Sequence, residues 1–384
     1  MSRIEQLIEE LCPNGVEWKT LGKIGEFKYG YTDKAKNHGD VRFIRITDIN
    51  ENGKLTKNDY KFLDLTDSNK DYLLKKGDIL VARTGATYGK TMLFNEDYQA
   101  VYASFLIRIR FKAKDILPAY YWHFSQSGIY WVQANRLVGG GAQPQFNANV
   151  LKTIQIPIPP LPIQQEIVNI LDKFTALDAL LQADLEARKK QYEHYRNQLL
   201  DFEGKEVAWK LIDDLTEVIT GGEAPVNCIK SSIPNEVYKY PIFANGLEIY
   251  GYTDNYKIDK DSVTISSIGA NTGTVYYRKA YFTPIIRLKV LVPKVDNLLS
   301  KYLYYYLSSI KINSKKGSVP NMNADDVKKL QIPIPPLAEQ ERIVEILDKF
   351  DKLVNEEQPA EIAARRKQYE YYREKLLTFE PLVN

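Results

Sequence analysis

One block of this chain is written twice. Residues 156–174 read IPIPPLPIQQEIVNILDKF, and residues 332–350 read IPIPPLAEQERIVEILDKF. Each copy leads into a second shared block, RKKQYEHYRNQLLDF at 188–202 and RRKQYEYYREKLLTF at 365–379. The duplication extends outward. GAQPQFNANVLKTIQIP (141–157) aligns without gaps to GSVPNMNADDVKKLQIP (317–333), and VEWK (16–19) aligns to VAWK (207–210). The chain is thus a tandem repeat of about 190 residues. Each repeated block follows a stretch of domain size that is not visibly duplicated. A chain that repeats its spacer and varies its payload is suited to holding two different readers in one fixed geometry.

The repeated blocks predict helices that begin after a proline stop. IPIPPL cannot be helical, because each proline fixes φ and biases its predecessor away from α. Beyond it, apolar residues recur at steps of three and four, which suits a two-helix seam. The seam is expected at Ile167, Ile170, Phe174, Leu177 and Leu181 in the first copy, and at Ile343, Ile346, Phe350 and Leu353 in the second. A helix over 163–202 would be about 60 Å long at ~1.5 Å per residue, the dimension of a strut. The second copy departs at Asn355-Glu356-Glu357-Gln358-Pro359 and carries one inserted residue before Arg365. A kink or break is expected near 355–359, since proline inside a helix costs roughly 3 kcal/mol. A pseudo-twofold relation between the repeats would make the two helices antiparallel. RIEQLIEEL (3–11) falls where the end of an arm helix belongs and is expected to complete the second arm.

The stretches between the repeats predict mixed α/β domains. GDILVAR (77–83), DSVTISS (261–267), ASFLIRIRF (103–111) and PIIRLKVLV (284–292) are expected strands. PAYYWHFSQSGIYWVQANR (118–136) and LLSKYLYYYLSSIKI (298–312) are expected helices whose aromatics are core. The fold class that follows is α/β (α+β), with two globular domains joined by two long antiparallel helices. The expected division is 1–15, an N-terminal helix; 16–155, the first domain; 156–204, the first proline stop and spacer helix; 205–331, the second domain; and 332–384, the second proline stop and spacer helix.

Charge follows the same division. Segment 16–150 holds 20 Lys/Arg against 14 Asp/Glu, and 205–331 holds 17 against 13, whereas the repeated segments are acidic within a chain of net +3. A polyanion would meet the unduplicated segments. The two cysteines, Cys12 and Cys228, are unpatterned and suit a reducing cytoplasm better than a disulfide framework or a zinc site. No stretch has the form of a signal peptide or a membrane span.

Several motifs fall short of catalysis. GATYGKT (85–91) has three residues between its first glycine and the GK pair, where a phosphate loop needs four, and its counterpart GANTGT (269–274) has no lysine. A hairpin at the same place in both repeats accounts for these glycines better. GGGAQPQ (139–145) reads as a loop leading back to the strut. His38, His123 and His194 lack metal-ligand spacing, and no nucleophile, base and oxyanion set is present.

Taken together, the twice-written IPIPPL-x-x-Q-x-x-I, the junctions ELCPNGVEWKTLG and QYEHYRNQLLDFEGKEVAWK, and GDILVARTGATYGK resemble the DNA-specificity subunit of Type I restriction-modification enzymes. The resemblance covers nearly the whole chain. It implies a non-enzymatic cytoplasmic protein with two target-recognition domains, each reading half of a split duplex-DNA site. It also implies that the arms set the spacing and dock two methyltransferase subunits, with restriction/translocase subunits joining for cleavage. No cofactor is expected on this chain, and S-adenosylmethionine belongs to the methyltransferase partner. A coiled-coil interaction scaffold with two ligand-binding domains and no nucleic-acid role is the alternative, which salt-dependent binding to duplex DNA would separate.

Recognition residues vary between members, so DNA contacts are drawn from side-chain chemistry alone. Arg reads guanine, Asn and Gln read adenine, and Lys meets phosphate. The candidates in the first domain are Lys34, Lys36, Arg42, Arg45, Arg83, Thr84, Lys90, Arg136 and Gln143. In the second they are Asn245, Ser267, Asn271, Thr272, Arg278, Lys315, Lys316 and Asn321.

Overall fold

The computed structural model describes residues 3–56, 58–138, 146–312 and 321–382. It divides into two compact units, one of residues 1–182 with 361–384 and one of residues 183–360. Each unit takes part of both arms, so the division cuts across the bounds expected from the repeat.

In the first unit an antiparallel sheet is ordered Gly25–Tyr29, Leu106–Phe111, Ile79–Ala82, Thr91–Leu93. A second sheet is ordered Phe62–Leu63, Val41–Ile44, Ala100–Tyr102, the last two parallel. The second unit repeats the first of these as Thr216–Thr220, Lys289–Pro293, Ser262–Ile265, Val275–Arg278. Its other sheet has four strands, Cys228–Ile229, Ile249–Thr253, Tyr240–Phe243 and Thr283–Pro284.

The repeated sequence builds repeated parts. In each unit the proline block supplies one strand of a two-stranded ribbon. Gln155–Ile158 pairs Glu17–Thr20 with Pro157 opposite Trp18, and Gln331–Ile334 pairs Ala208–Leu211 with Pro333 opposite Trp209. Proline is tolerated there because a ribbon strand leaves one edge unpaired. The glutamine of IPPL-x-x-Q then fastens the arm to its domain. Gln164 donates to the carbonyls of Asp115 and Pro159 at 2.7 Å and accepts from the Leu117 N–H at 2.9 Å. Gln340 does the same with Asn297, Pro335 and Leu299 at 2.9–3.0 Å. Both glutamines are fully buried.

A short aromatic helix closes each core. Pro118–Phe124 is buried on every side from Tyr120 to Phe124, as a helix apolar all round must be. The expected helix over 118–136 is two helices, Pro118–Phe124 and Gly128–Val138, where Ser125 and Ser127 turn their hydroxyls back onto the Trp122 and Phe124 carbonyls. Ser300–Ser309 is the counterpart in the second unit, with Tyr302, Tyr305 and Tyr306 buried. Tyr120 donates to the Pro157 carbonyl at 3.1 Å and Tyr302 to the Pro333 carbonyl at 2.9 Å.

The first arm helix is unbroken from Leu161 to Leu199. The second begins as Leu337–Lys352, passes through a π turn at Leu353–Glu357 and continues as Gln358–Leu377. The expected break at 355–359 is therefore a π turn, in which the Gln358 N–H reaches back to the Leu353 carbonyl. An extra residue in an α-helix would rotate the following stripe by about 100°, and a π turn absorbs it. The shifted ladder also accommodates Pro359, which has no N–H to give.

Of the expected seam residues, Ile167 and Ile343 are fully buried in the cores of their own units. Ile170, Leu177, Leu181, Ile346 and Leu353 are half-buried. Phe174 and Phe350 are half-buried in matching aromatic clusters. Phe174 lies 6.0 Å from Tyr369 and 5.6 Å from Tyr372, and Phe350 lies 6.4 Å from Tyr192 and 5.8 Å from Tyr195. Arg366 adds a two-point ion pair to Asp178 in the first unit, and Gln358 donates to Asp184 in the second. Within each unit the helices are antiparallel.

The N-terminal helix Arg3–Leu11 does not stand in for the end of the second arm, which reaches Leu377 by itself. It is a separate helix whose Ile4, Leu7 and Ile8 join Leu376, Leu377 and Phe379 in the core of the first unit. The two ends of the chain meet there, with the Val16 N–H donating to the Glu380 carbonyl and the Leu382 N–H to that of Val16, both at 2.9 Å.

Candidate nucleic-acid interface

The same end of the principal sheet in each unit gathers three backbone segments. The first is the hairpin whose glycines the sequence singled out. Gly85 and Gly89 have φ of +71° and +75°, and Gly269 and Gly273 have +83° and +90°. The Gly89 N–H closes onto the Ala82 carbonyl and the Gly273 N–H onto that of Ser266. These left-handed positions favour glycine, and they serve a hairpin, not a phosphate loop.

The second segment is the turn that opens the long central strand. In the first unit it is Ala103–Leu106, and in the second Ile285–Leu288, each closed by an N–H to carbonyl bond from last residue to first. The third is the return to the arm, where the Phe146 N–H donates to the Arg83 carbonyl and the Met322 N–H to that of Ser267. By these bonds Arg83 and Ser267 are equivalent, as are Phe105 and Arg287.

The first unit assembles Arg83, Thr84 and Lys90 on this hairpin. Arg83 lies 5.1 Å over the Tyr29 ring and donates to the Ser104 carbonyl at 3.4 Å. Tyr88 ties the hairpin to the helix that bears exposed Arg136 by donating to Asn135 at 2.7 Å. Phe105 stands 55% exposed and Tyr29 42% exposed beside them. Lys34 and Lys36 lie apart, on the exposed segment after Tyr29. Lys36 pairs with Asp64 at 2.5 Å, and that carboxylate raises its pKa.

Two expected contacts of the first unit are otherwise engaged. Arg42 is buried, donating to the Tyr98 hydroxyl and the Thr56 carbonyl, with its guanidinium 3.9 Å from the Tyr60 ring centre. Arg45 is neutralised by a two-point pair with buried Asp48 and a bond to Asp59, and hydrogen bonding to those carboxylates raises its pKa. Arg42 is therefore a structural cation, and a base edge has no access to it.

The second unit brings Asn245 and Ser267 into direct contact, the Ser267 N–H donating to the Asn245 side-chain oxygen at 2.7 Å. Ser267 is fully buried, so its expected role as a contact is corrected to a supporting one. Arg278 is corrected likewise. It is buried 3.8 Å over the Phe243 ring and donates to the Gly246 and Leu247 carbonyls. Burial pushes its pKa down to about 10. Asn271 is exposed and Thr272 half-buried on the hairpin, where the Thr272 hydroxyl donates to the Gly269 carbonyl. Asn321 is exposed and bridges Ile268. Gln143, Lys315 and Lys316 lie outside the described residues.

Tyr29, Phe105, Ile286 and Arg287 were not among the expected contacts. ASFLIRIRF and PIIRLKVLV read as uninterrupted strands, yet each begins with a turn, and the strands start only at Leu106 and Lys289. Neither turn contains the glycine, proline or asparagine that would announce it.

A duplicated frame that presents two different polar rims defines a two-site reader. The chain matches the Type I restriction modification DNA specificity domain over residues 13–188 and again over 205–364. It is 32% identical to the Type I restriction enzyme EcoR124I/EcoR124II specificity subunit of Escherichia coli, across 99% of this chain and 97% of that one. It is 29% identical to the EcoprrI specificity subunit of the same species, across 92% of each. The crystal structure of the S subunit of a Type I restriction-modification system from M. genitalium shares the fold with a TM-score of 0.61 at 14% identity, covering 94% of this chain and 96% of that one. The protein belongs to the family of Type I restriction-modification DNA-specificity subunits.

Proposed function

We propose that this chain reads a bipartite duplex-DNA sequence, one half with each unit, and fixes the spacing between the halves with its arm helices. It docks two methyltransferase subunits, which carry S-adenosylmethionine and the chemistry, and restriction/translocase subunits join for cleavage. The chain itself binds no cofactor, catalyses nothing and works in the cytoplasm. One observation carries this reading. Equivalent positions on equivalent turns hold different side chains, exposed Phe105 in one unit and exposed Arg287 in the other, and the first unit carries Arg83 where the second has buried Ser267. A protein that recognised one ligand twice would have no reason to differ there.

Each half-site supplies a few base pairs, worth about 1–3 kcal/mol of discrimination apiece. Two tethered readers combine that selectivity. The test replaces residues 16–155 by the corresponding segment of a relative and maps methylated sequences in the presence of a compatible methyltransferase subunit. One half of the recognised sequence should change while the other half and the spacer persist. A change in both halves, or in the spacer, would show that recognition is shared between the domains.

A further inference from the structure

The turn that opens strand Lys289–Pro293 places two adjacent non-glycine residues in the left-handed region. Ile286 has φ of 52° and Arg287 of 58°, and the Leu288 N–H closes the turn onto the Ile285 carbonyl at 3.2 Å. That is the mirror-image turn that Asn-Gly fills most easily, and a β-branched isoleucine is among the residues least suited to it.

The surroundings hold it in place. The Asn245 side chain donates to the Ile286 carbonyl at 2.5 Å, and the Ser267 hydroxyl donates to the Arg287 carbonyl at 2.6 Å. The Ile286 and Arg287 N–H groups donate to Gly222 and Gly221 at 2.7 and 3.0 Å. Gly221 permits this approach, because a Cβ there would lie 2.8 Å from the Ile285 nitrogen. Asn245 is itself held by the Ser267 N–H and, through its carbonyl, by the Ser266 hydroxyl. Four groups are thus spent on keeping two side chains outward. Ile286 is 44% exposed, and Arg287 is exposed with no ion-pair partner among the described residues. Both border an open groove of about 570 Å³. Strain of this kind persists where the fold over-determines it, and it collects at ligand-contacting sites.

The first unit turns at the equivalent place without the strain. Ser104 and Phe105 are not left-handed, and the guanidinium comes from the hairpin, as Arg83, instead of from the turn. The cation has changed strands between the two readers.

We propose that Ile286 and Arg287 are specificity-determining residues of the second unit, with Arg287 reading a guanine and Ile286 lying against a neighbouring thymine methyl, and that Asn245 and Ser267 are positioning residues that set the turn. This rests on the DNA-reading function proposed above. The guanidinium fork matches the two acceptors of guanine, and an apolar side chain matches the thymine methyl.

The test uses the full chain assembled with its methyltransferase subunits on a pool of randomised duplexes, with bound and methylated sequences scored separately. Arg287→Ala should flatten the preference for guanine at one position of one half-site by about 10-fold and leave the other half as in the wild type. Arg287→Lys should not restore it, since an ammonium lacks the fork. Asn245→Ala and Ser267→Ala should weaken preference at the same position. Adding Ile286→Gly to Asn245→Ala should recover part of the guanine preference, because glycine adopts the turn unaided. A merely structural role would lower the melting temperature or binding at every position without moving one base preference. If Arg287→Ala abolishes methylation, the bound pool still reports the preference. Wild-type preferences in Arg287→Ala, or flattening in both halves, would overturn the inference. A wild-type complex that selects no two-part sequence would instead overturn the DNA-reading function.

Discussion

In the first unit Gln164 fastens the arm to its domain, Tyr120 bonds to a ribbon proline and Phe174 meets two arm tyrosines. In the second, Gln340, Tyr302 and Phe350 do the same with equivalent partners. The units part at their edges. His123 faces Asp172 in one, where Tyr305 and Lys301 face Asp348 in the other. Arg83 sits where Ser267 does, and Phe105 where Arg287 does. Each bond that recurs has a residue of the repeated blocks at one end, and where the units differ the changed residue lies in the unduplicated segments.

The arms give the largest expected break in this likeness. The second arm carries its extra residue in a π turn, and the first has no such slack. Deleting Glu356 should return the π turn to α-helix and change stability by less than about 1 kcal/mol, as surface changes away from structural features do. Deleting exposed Asn169 from the uninterrupted helix turns the following stripe within the first unit, including buried Leu171, away from its partners by about 100°. That variant should lose cooperative unfolding or most of its soluble yield. Equal tolerance of both deletions, measured by chemical denaturation, would mean the π turn is not what absorbs the insertion.

The fastening glutamines come next. Removing either strands a proline carbonyl in a buried site, at about 1–3 kcal/mol, and takes a partner from an N–H and a second carbonyl that are only partly buried. Gln164→Ala and Gln340→Ala should each cost about 1–3 kcal/mol, and by similar amounts. A large loss from one and none from the other would break the equivalence of the units. Tyr120→Phe and Tyr302→Phe remove one neutral hydrogen bond each and should cost about 1 kcal/mol apiece in thermal melts.

How much of this was legible in the sequence follows the same division. IPIPPL-x-x-Q declared its helix start and its duplication, because prolines and a helical stripe are local signals, but not the ribbon strand, which depends on pairing with residues 17–20 and 208–211. The hairpin glycines were legible for the same reason. The strained turn was not, since Ile286 and Arg287 carry no turn signal and are held left-handed by Asn245, Ser267, Gly221 and Gly222, distant in sequence. Arg42 and Arg278 looked like surface cations, and only tertiary packing against Tyr60 and Phe243 shows them to be interior. The π turn was half legible: Pro359 and the insertion marked the place, but a break and a π turn share that signature.

The smallest expected difference is also the most specific, because it rests on one proton in each unit. Burial pushes the pKa of His123 below its ordinary 6.5, outweighing its hydrogen bond to Asp172, which raises it, while Lys54 and Arg373 add to the lowering. The unfolded chain then binds the proton first as pH falls, so the first unit loses stability between 6.5 and the lowered value and is insensitive above 6.5. In the second unit Asp351 occupies the place of Thr175, and burial pushes its carboxyl above the ordinary 3.8, with Asp348 and Glu356 adding to the rise and Asn355 and Lys301 opposing it. There the folded state binds the proton first. That contribution is present at and below pH 3.8 and is lost as pH rises through the raised value. The two units should therefore respond with opposite signs to acidification through their respective windows. Hydrogen exchange followed by mass spectrometry, peptide by peptide, would resolve them: protection around 118–138 should fall below pH 6.5, and protection around 298–310 should gain from protonation of Asp351 at lower pH. His123→Gln should abolish the first response and Asp351→Asn the second. A response common to both units and untouched by either substitution would assign the pH dependence to the shared frame instead of to the residues in which the units differ.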